Sequence, residues 1–307
     1  MADHTEEAGL IPILVDGSGR DGTTLAMQLL ATAPEIAFDR VYPYEQRYFN
    51  YLLQWSRLPE QGRWDESKWS LDNLAHTDSL KNAHVLGPVP WLQRTLIAGD
   101  GSESFAEAVF AAVWSEFSKR AREAMRAEFG DPSLAVRYYA QKNAESWEID
   151  TDEVPLPQLN LIALLRDPRD VWQSSVAFHR RRKGEGGTFL PIADGAAEES
   201  YLDEFIEQQK TRLGWLQVQA AEGEMPIVRY ESLITDLPAE AKRLGEWLGV
   251  HLDAGAVVKR REGFSKHITA NSPEASVGRW KNEMPEQLAA RFATAIGTEL
   301  TELGYEV

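Results

Sequence analysis

Short apolar runs alternate with helical patterns along this chain. Ile11 to Val15 (IPILV) is an unbroken apolar stretch of the kind found in a strand buried on both faces. A glycine-rich turn follows at Asp16 to Gly22, and Thr23 to Ala33 then places Leu25, Leu29 and Leu30 on one side of a helix. Leu134 to Tyr139, Leu159 to Leu165 (LNLIALL) and Met225 to Val228 predict further strands. Pro168 suits the first turn of a helix running to about Phe178. Ser102 to Phe129 carries Phe105, Val109, Val113 and Phe117 at helical spacing, and Tyr201 to Ala221, Glu240 to Leu248 and Pro285 to Leu303 also read as helices. Strands alternating with helices predict an α/β fold with a mostly parallel sheet. No repeat, low-complexity tract or linker breaks the chain. The expectation is one domain over residues 1–307, with a helical insertion at about 43–130. A mobile loop at about 180–200 is expected from the charge and glycine of Arg180 to Asp194.

Composition narrows the function. Of 307 residues, 43% are hydrophobic and 26% charged, which sets the disordered and collagen-like classes aside. Lys and Arg number 32 against 48 Asp and Glu, a formal charge of −16, which argues against nucleic acid or an anionic membrane as partner. With no cysteine, a disulfide, a thiolate zinc site and a cysteine nucleophile are all closed. The first nine residues are polar and acidic without a secretory pattern, and no stretch reaches the ~18 apolar residues of a membrane helix. The expectation is a soluble, cytoplasmic protein; the pattern fixes no oligomeric state.

Gly17-Ser18-Gly19-Arg20-Asp21-Gly22-Thr23-Thr24 lies between the first strand and the first helix. Backbone N–H groups of such a turn, together with the helix N-terminus, cradle an anion. The glycines admit close approach, Arg20 offers a bidentate contact and the threonines offer hydroxyls. The nucleotide-triphosphate loop GxxxxGK[ST] would need lysine at position 23, which is Thr, and the magnesium logic weakens with it. The dinucleotide pattern GxGxxG is met by Gly17, Gly19 and Gly22, and Asp39 lies near the ~20-residue spacing of its acidic partner. From this loop alone a nicotinamide enzyme and an ordinary turn both stay open.

The segment PILVDGSGRDGTT resembles the 5′-phosphosulfate loop of sulfotransferases that use 3′-phosphoadenosine 5′-phosphosulfate (PAPS), with Asp21 where that family has serine. LIALLRDPRDVWQSS resembles the family's second signature, in which Arg166 and Ser174, eight apart, match the pair that holds the 3′-phosphate. IVRYESLITD resembles the strand after which Tyr230 matches an aromatic residue near the adenine. SVGRWKNEM, with the helix after it, resembles the C-terminal Gly-x-Trp-[Lys/Arg] segment. The basic triplet of the cytosolic branch is absent before Gly278, and Arg279 and Lys281 beside Trp280 stand in for its charge. The four matches keep the family's order and span residues 11–305. Taken alone, Arg166 and Arg169 read equally well as partners of Asp167 and Asp170, and Trp280 as a core residue.

The resemblance implies a P-loop-like sheet flanked by helices and metal-free, in-line transfer of a sulfuryl group to a hydroxyl or amine of a small-molecule acceptor, with PAP leaving. Such a reaction needs a base for the acceptor proton, cations for the developing charge and alignment of both reactants. Arg20 is the first cation; the second is Lys142, in a segment resembling the family's short strand ending in a catalytic lysine. The cytosolic branch takes its base two residues later, where this chain has Ala144. Other branches use a carboxylate after the first helix, here Glu45 or Asp39; Glu45 is preferred, with Tyr42, Tyr44, Tyr48 and Phe49 expected to bury it. Glu45 pairing with Arg40 or Arg47 on a surface is the plain alternative. His76, His84 and His179 have no assigned role, and Trp55, Trp64, Trp69 and Trp91 suit either an apolar acceptor pocket or the insertion's own core. A kinase-like phosphotransferase, a nicotinamide oxidoreductase and a non-catalytic nucleotide-binding protein are the rivals. The missing lysine of the triphosphate loop argues against the first, and the second gives no reason for pairing Arg166 with Ser174.

Overall fold

Strand β1 (Ile11–Gly17) buries every residue after Ile11 to a high degree, as its apolar run requires. In a computed structural model, residues 9–57, 105–144, 156–187, 189–193, 196–261, 269–270 and 272–307 are described. Strands β2 (Ile36–Phe38), β3 (Tyr138–Ala144), β4 (Asn160–Leu165) and β5 (Ile227–Arg229) complete a parallel sheet in the order β2-β3-β1-β4-β5. The register sets Ile36 opposite Tyr138 in one pair and Leu165 opposite Arg229 in the other. The α/β expectation therefore holds. The chain divides into two compact units, the described parts of 1–14 and 34–160 and those of 15–33 and 161–307, so the division runs through β1.

The first unit is built on aromatic packing. Helix α1 (Thr23–Leu30) belongs to the second unit; α2 (Tyr48–Arg57) and α3 (Phe105–Phe129) belong to the first. Trp114 of α3 is buried, with ring centroids 5.4 Å from Phe49, 6.0 Å from Phe110 and 5.1 Å from Phe117. Each such pair contributes about 0.5–1.5 kcal/mol beyond the area it buries. The indole N–H of Trp114 donates to the Leu10 carbonyl at 2.9 Å, and the Leu10 N–H donates to Ser118 Oγ at 2.8 Å. These bonds fix the start of β1 on α3 and leave no buried polar group of the pair unmet.

The second unit packs α4 (Pro168–Gly184), α5 (Leu202–Glu222) and later helices around β4 and β5. Its core joins Leu165, Trp172, Phe205, Leu213, Phe292 and Leu300, with Phe292 on the C-terminal helix Glu286–Glu302. Helix α4 runs past the point where a loop was expected at Arg180. Arg181, Arg182 and Lys183 fall in its last turn, where cations suit the negative end of the helix dipole. The chain leaves it at Gly186, in the left-handed region at φ 82°, with the Gly187 N–H donating back to the Arg182 carbonyl. The short helices α6 (Tyr230–Thr235), α7 (Leu237–Leu248) and α8 (Ala254–Arg261) follow β5. Residues 58–104, which include His76, His84, Trp64, Trp69 and Trp91, lie outside the described residues, as do 188 and 194–195 of the expected loop. Among the described residues no helix is long and apolar enough to cross a membrane.

Candidate functional site

The glycine-rich loop turns on three left-handed residues, Gly19 (φ 83°), Arg20 (φ 62°) and Gly22 (φ 104°). Arg20 bears a side chain there at a cost of about 1 kcal/mol, so something must hold it. Arg166 does: its Nη1 donates to the Arg20 carbonyl at 2.6 Å, while Nη2 donates to the Ser276 carbonyl at 2.7 Å. The Arg20 side chain turns to α4, where Nε donates to Ser174 Oγ at 3.2 Å and the guanidinium lies 4.5 Å over the Phe178 ring. Gly22 caps α1 without a side-chain bond, and a Cβ at Gly22 would lie 2.6 Å from the Tyr230 ring. Glycine is thus needed both for the turn and for the aromatic residue against it.

The Arg166-Asp167-Pro168-Arg169-Asp170 run distributes its charges to separate tasks. Asp167 caps α4 by accepting the Arg169 N–H at 2.9 Å, and Pro168 fills the first turn. Arg169 pairs back to Asp167 at 2.8 Å and stacks 3.6 Å over Trp280. Asp170 accepts the Gly278 N–H at 2.6 Å and the Trp280 N–H at 2.9 Å, pinning that segment to the start of α4. Burial pushes the Asp170 carboxyl up to about 6, against the pull of those N–H groups and of Arg166. The alternative of two Arg–Asp pairs is realised only for Arg169; Arg166 hydrogen-bonds to carbonyls, and its buried Nε has no hydrogen-bond partner among the described residues.

A continuous polar row results. Ser174 Oγ, which accepts from Arg20, lies 3.1 Å from Thr269 Oγ1, and Arg279 Nη1 donates to Thr269 at 3.2 Å. Arg279 also pairs with Glu283 at 2.6 Å. Beside the row, the Arg166 guanidinium lies 4.1 Å over the Tyr230 ring, whose hydroxyl is 2.7 Å from Ser276 Oγ. Burial draws the Arg20 guanidinium down to about 10, and the like charges of Arg166 and Arg181 add to it. An anion placed among these groups relieves that repulsion.

Below the loop sits a buried ionic group. Asp21 Oδ2 accepts the Ser18 N–H at 2.5 Å, and Oδ1 is buried with no hydrogen-bond partner among the described residues. Asp16 pairs with Arg212 at 2.5 Å, and Arg212 also donates to the Leu164 carbonyl at 2.9 Å. Burial pushes the Asp21 carboxyl up; Arg212 opposes this and Asp16 adds to it.

In the first unit, Lys142 Nζ donates to Glu45 Oε1 at 2.8 Å. Two residues chosen separately from the sequence therefore meet. The lysine side chain is 8% exposed and the glutamate 54%, so the expected aromatic burial of Glu45 is not found. Gln141 and Asn143, which flank Lys142 on β3, both bond to Asn50 of α2, at 2.5 and 2.8 Å. Asp39 instead turns back, accepting the Val41 N–H at 3.1 Å through Oδ1, while Oδ2 is buried without a partner among the described residues.

The second unit thus gathers Gly17, Gly19, Arg20, Asp21, Gly22, Arg166, Ser174, Tyr230 and Arg279 around the loop, with Thr23 and Thr24 opening α1. Lys281 is not drawn into the row. It pairs with Glu306 at 2.5 Å, and with Trp280 it lines a separate cavity of about 230 Å³ bordered by Arg169 and Tyr305. Nothing in the sequence pattern marks Thr269, Ser276, Phe178 or Arg212 as site residues by itself. Ser276 lies two residues before Gly278, inside a recognised segment, whereas nothing in the pattern singles out Thr269.

The family model described as "Sulfotransferase family" matches residues 12–254. No curated protein matches the chain. Among solved structures, the sulfotransferase domain from the curacin biosynthetic pathway matches at 17% identity and TM-score 0.45, over 98% of this chain and 99% of that one. The sulfotransferase STF9 from Mycobacterium avium matches at 16% identity and TM-score 0.48, over 99% of this chain and 80% of that one. Retinol dehydratase, solved with androsterone and the inactive cofactor PAP, matches at 13% identity and TM-score 0.45, over 96% and 82%. With the family match running from β1 to the start of α8, the chain belongs to the sulfotransferase family.

Proposed function

We propose that this protein transfers the sulfuryl group of PAPS to a hydroxyl or amine of a small-molecule acceptor, with Glu45 as general base. The observation that carries the reading is the convergence of Arg20 and Arg279, from distant segments, on the hydroxyl row Ser174–Thr269, with Arg166 bonded to the Arg20 carbonyl of the glycine-rich loop. The fit is polyanionic: Arg166 and Arg181 repel the Arg20 guanidinium, and the buried Nε of Arg166 has no hydrogen-bond partner among the described residues. When bound, PAPS supplies an activated sulfuryl group and leaves as PAP.

The chain's own residues then have distinct tasks. Gly17, Gly19 and Gly22 bring backbone N–H groups close to the 5′-phosphosulfate, and Arg20, Thr23 and Thr24 add donors there. Arg166, Ser174 and Arg279 hold the 3′-phosphate, and Tyr230 borders the adenine. Trp280 and Lys281 support the segment that carries Arg279. Lys142 orients Glu45, which takes the acceptor proton as the acceptor atom attacks, and stabilises negative charge in the transition state. Asp39 is the second candidate base. No step calls on a metal ion. Lack of cysteine suits a reducing compartment, and the cytoplasm belongs to this reading.

Calorimetric titration with PAP in the presence of a chelator tests the donor. Micromolar binding, with no binding of ATP plus magnesium or of NADPH, is the expected result. Binding of either control in place of PAP would overturn it.

A further inference from the structure

The segment that follows the helix Glu286–Glu302 is gripped by several parts of the second unit. Arg229 Nη1 donates to the Leu303 carbonyl at 2.5 Å, and its guanidinium lies 4.1 Å over the Tyr305 ring. Arg169 Nη2 donates to the Glu306 carbonyl at 2.5 Å, and Lys281 pairs with the Glu306 side chain. The Tyr305 hydroxyl donates to Glu231 Oε2 at 3.1 Å. Each gripping residue is a near neighbour, along the chain, of a residue in the loop cluster. Arg229 and Glu231 flank Tyr230, Arg169 lies one helical turn after Arg166, and Lys281 lies just beyond Arg279.

Glu231 joins these grips into one chain of contacts. Its Oε1 accepts the Asp167 N–H at 3.0 Å, while Oε2 accepts the Tyr305 hydroxyl. Both oxygens are thus engaged by other segments. Asp167 is buried and directly follows Arg166, where β4 ends and α4 begins. As the residue that caps α4, it has an N–H that no carbonyl of that helix can accept. Glu231 fills this need. Burial, and then Glu231, push the Tyr305 phenol well above its ordinary value against the pull of Arg229, so the hydroxyl stays a donor. Truncating Glu231 takes the acceptor from both the Asp167 N–H and the phenol.

We propose that Glu231 and Tyr305 are positioning residues for the 3′-phosphate: Tyr305 fixes the Glu231 carboxyl, which fixes the Asp167 N–H and so sets where the Arg166 guanidinium stands. This rests on the reading of Arg166 as a 3′-phosphate ligand. Arg166 serves three groups at once, the carbonyls of Arg20 and Ser276 and the face of Tyr230. A side chain so committed tolerates little movement of its own backbone, because a shift toward one partner withdraws it from another. Glu231 is placed to prevent that shift. It directly follows Tyr230, so one residue keeps the strand end that bears Arg166 in register with the ring that Arg166 covers.

Calorimetry with PAP tests this on Glu231→Ala, Glu231→Gln and Tyr305→Phe, each alone and combined with Arg166→Ala, all first shown by thermal melting to be folded. Glu231→Ala is expected to lower PAP affinity about tenfold, the lower end of what one hydrogen bond to a charged group contributes. Glutamine keeps an oxygen for the Asp167 N–H and should recover most of that loss. Tyr305→Phe removes a single hydroxyl and should cost about threefold. In Arg166→Ala, with no guanidinium left to position, the same substitutions should change affinity by less than about twofold. Equal losses with and without Arg166 would overturn the proposal, because a general loosening of the fold does not depend on that side chain. A loss under about twofold for Glu231→Ala would overturn it too. If Glu231→Ala does not fold, Tyr305→Phe carries the same comparison. Hydrogen exchange across Leu165–Val171 without nucleotide keeps the donor reading separate. Exchange there should quicken in Glu231→Ala and Tyr305→Phe and return toward the wild type in Glu231→Gln. PAP binding by the wild type, with exchange and affinity unchanged in the variants, would overturn the positioning alone. Failure of the wild type to bind PAP would sink the donor reading, and the nucleotide role of Glu231 and Tyr305 with it.

Discussion

Replacing Arg166 by alanine probes the loop cluster most directly. Arg166 makes two charge-assisted bonds, to the carbonyls of Arg20 at 2.6 Å and Ser276 at 2.7 Å, and covers the Tyr230 ring. Truncation removes the guanidinium and strands both carbonyls. Loss of one charge-assisted contact to the 3′-phosphate, worth roughly 3 kcal/mol at the upper end, lowers PAP affinity by about 150-fold. Freeing the Arg20 backbone from its left-handed turn adds to that loss. Stability should fall as well, by about 1–3 kcal/mol for stranded carbonyls. Arg166→Lys keeps the charge but cannot span both carbonyls, so its affinity should lie between the two. Calorimetry with PAP, on proteins first shown by thermal melting to be folded, measures the effect. An alanine variant that is folded and binds PAP within about threefold of the wild type would refute the 3′-phosphate assignment.

Glu45→Gln should leave PAP affinity unchanged and abolish turnover; if Asp39→Asn does this and Glu45→Gln does not, Asp39 is the base. Arg212→Leu leaves Asp16 and Asp21 buried without their shared cation and the Leu164 carbonyl without its donor, for a loss of about 3–5 kcal/mol in denaturant unfolding; under about 1 kcal/mol would count against the buried pair. Asp170 has its carboxyl raised from 3.8 to about 6. A raised acid favours the folded state while protonated, so its contribution is lost as pH climbs from about 4 through about 6, at roughly 3 kcal/mol in all. Asp170→Asn should therefore gain on the wild type by that order between about pH 4 and about pH 7, and a constant difference would exclude the shift.

The sheet and its loop were legible because burial wrote them into the composition. Ile11–Val15 and Leu159–Leu165 are apolar because both faces of β1 and β4 are covered, and the glycines between β1 and α1 are imposed by left-handed turns. Strand β2 was not legible, since three residues carry no period. Helix α2 is hard to read although its buried Phe49, Leu53 and Ser56 keep helical spacing, because tyrosine and tryptophan on its exposed side blur the stripe. The Lys142–Glu45 pair was reachable only as two separate residues. Their meeting depends on Gln141 and Asn143 gripping Asn50, side-chain bonds between residues more than ninety positions apart. Thr269 lay further out of reach, for a hydroxyl bridging Ser174 and Arg279 differs in no local way from any surface threonine.

The loop and the Arg166–Asp170 run are better understood as one device than as two motifs. Arg20 occupies a conformation that its side chain disfavours, and the bond from Arg166 to its carbonyl is what holds it there. Arg166 also ties the loop to the Ser276 carbonyl, and Asp170 ties the following Gly278–Trp280 segment to the same helix start. The segment that brings Arg279 to the row is therefore registered against the loop through two neighbouring charged residues of α4 and its approach. Such an arrangement explains why the run alternates cation and anion around a proline. Arg166 must reach the Arg20 and Ser276 carbonyls, Asp167 and Pro168 must start the helix at that point, Arg169 must satisfy Asp167 and cover Trp280, and Asp170 must hold the C-terminal segment. Charge reversal at any of the four charged positions would break a contact that sets the geometry.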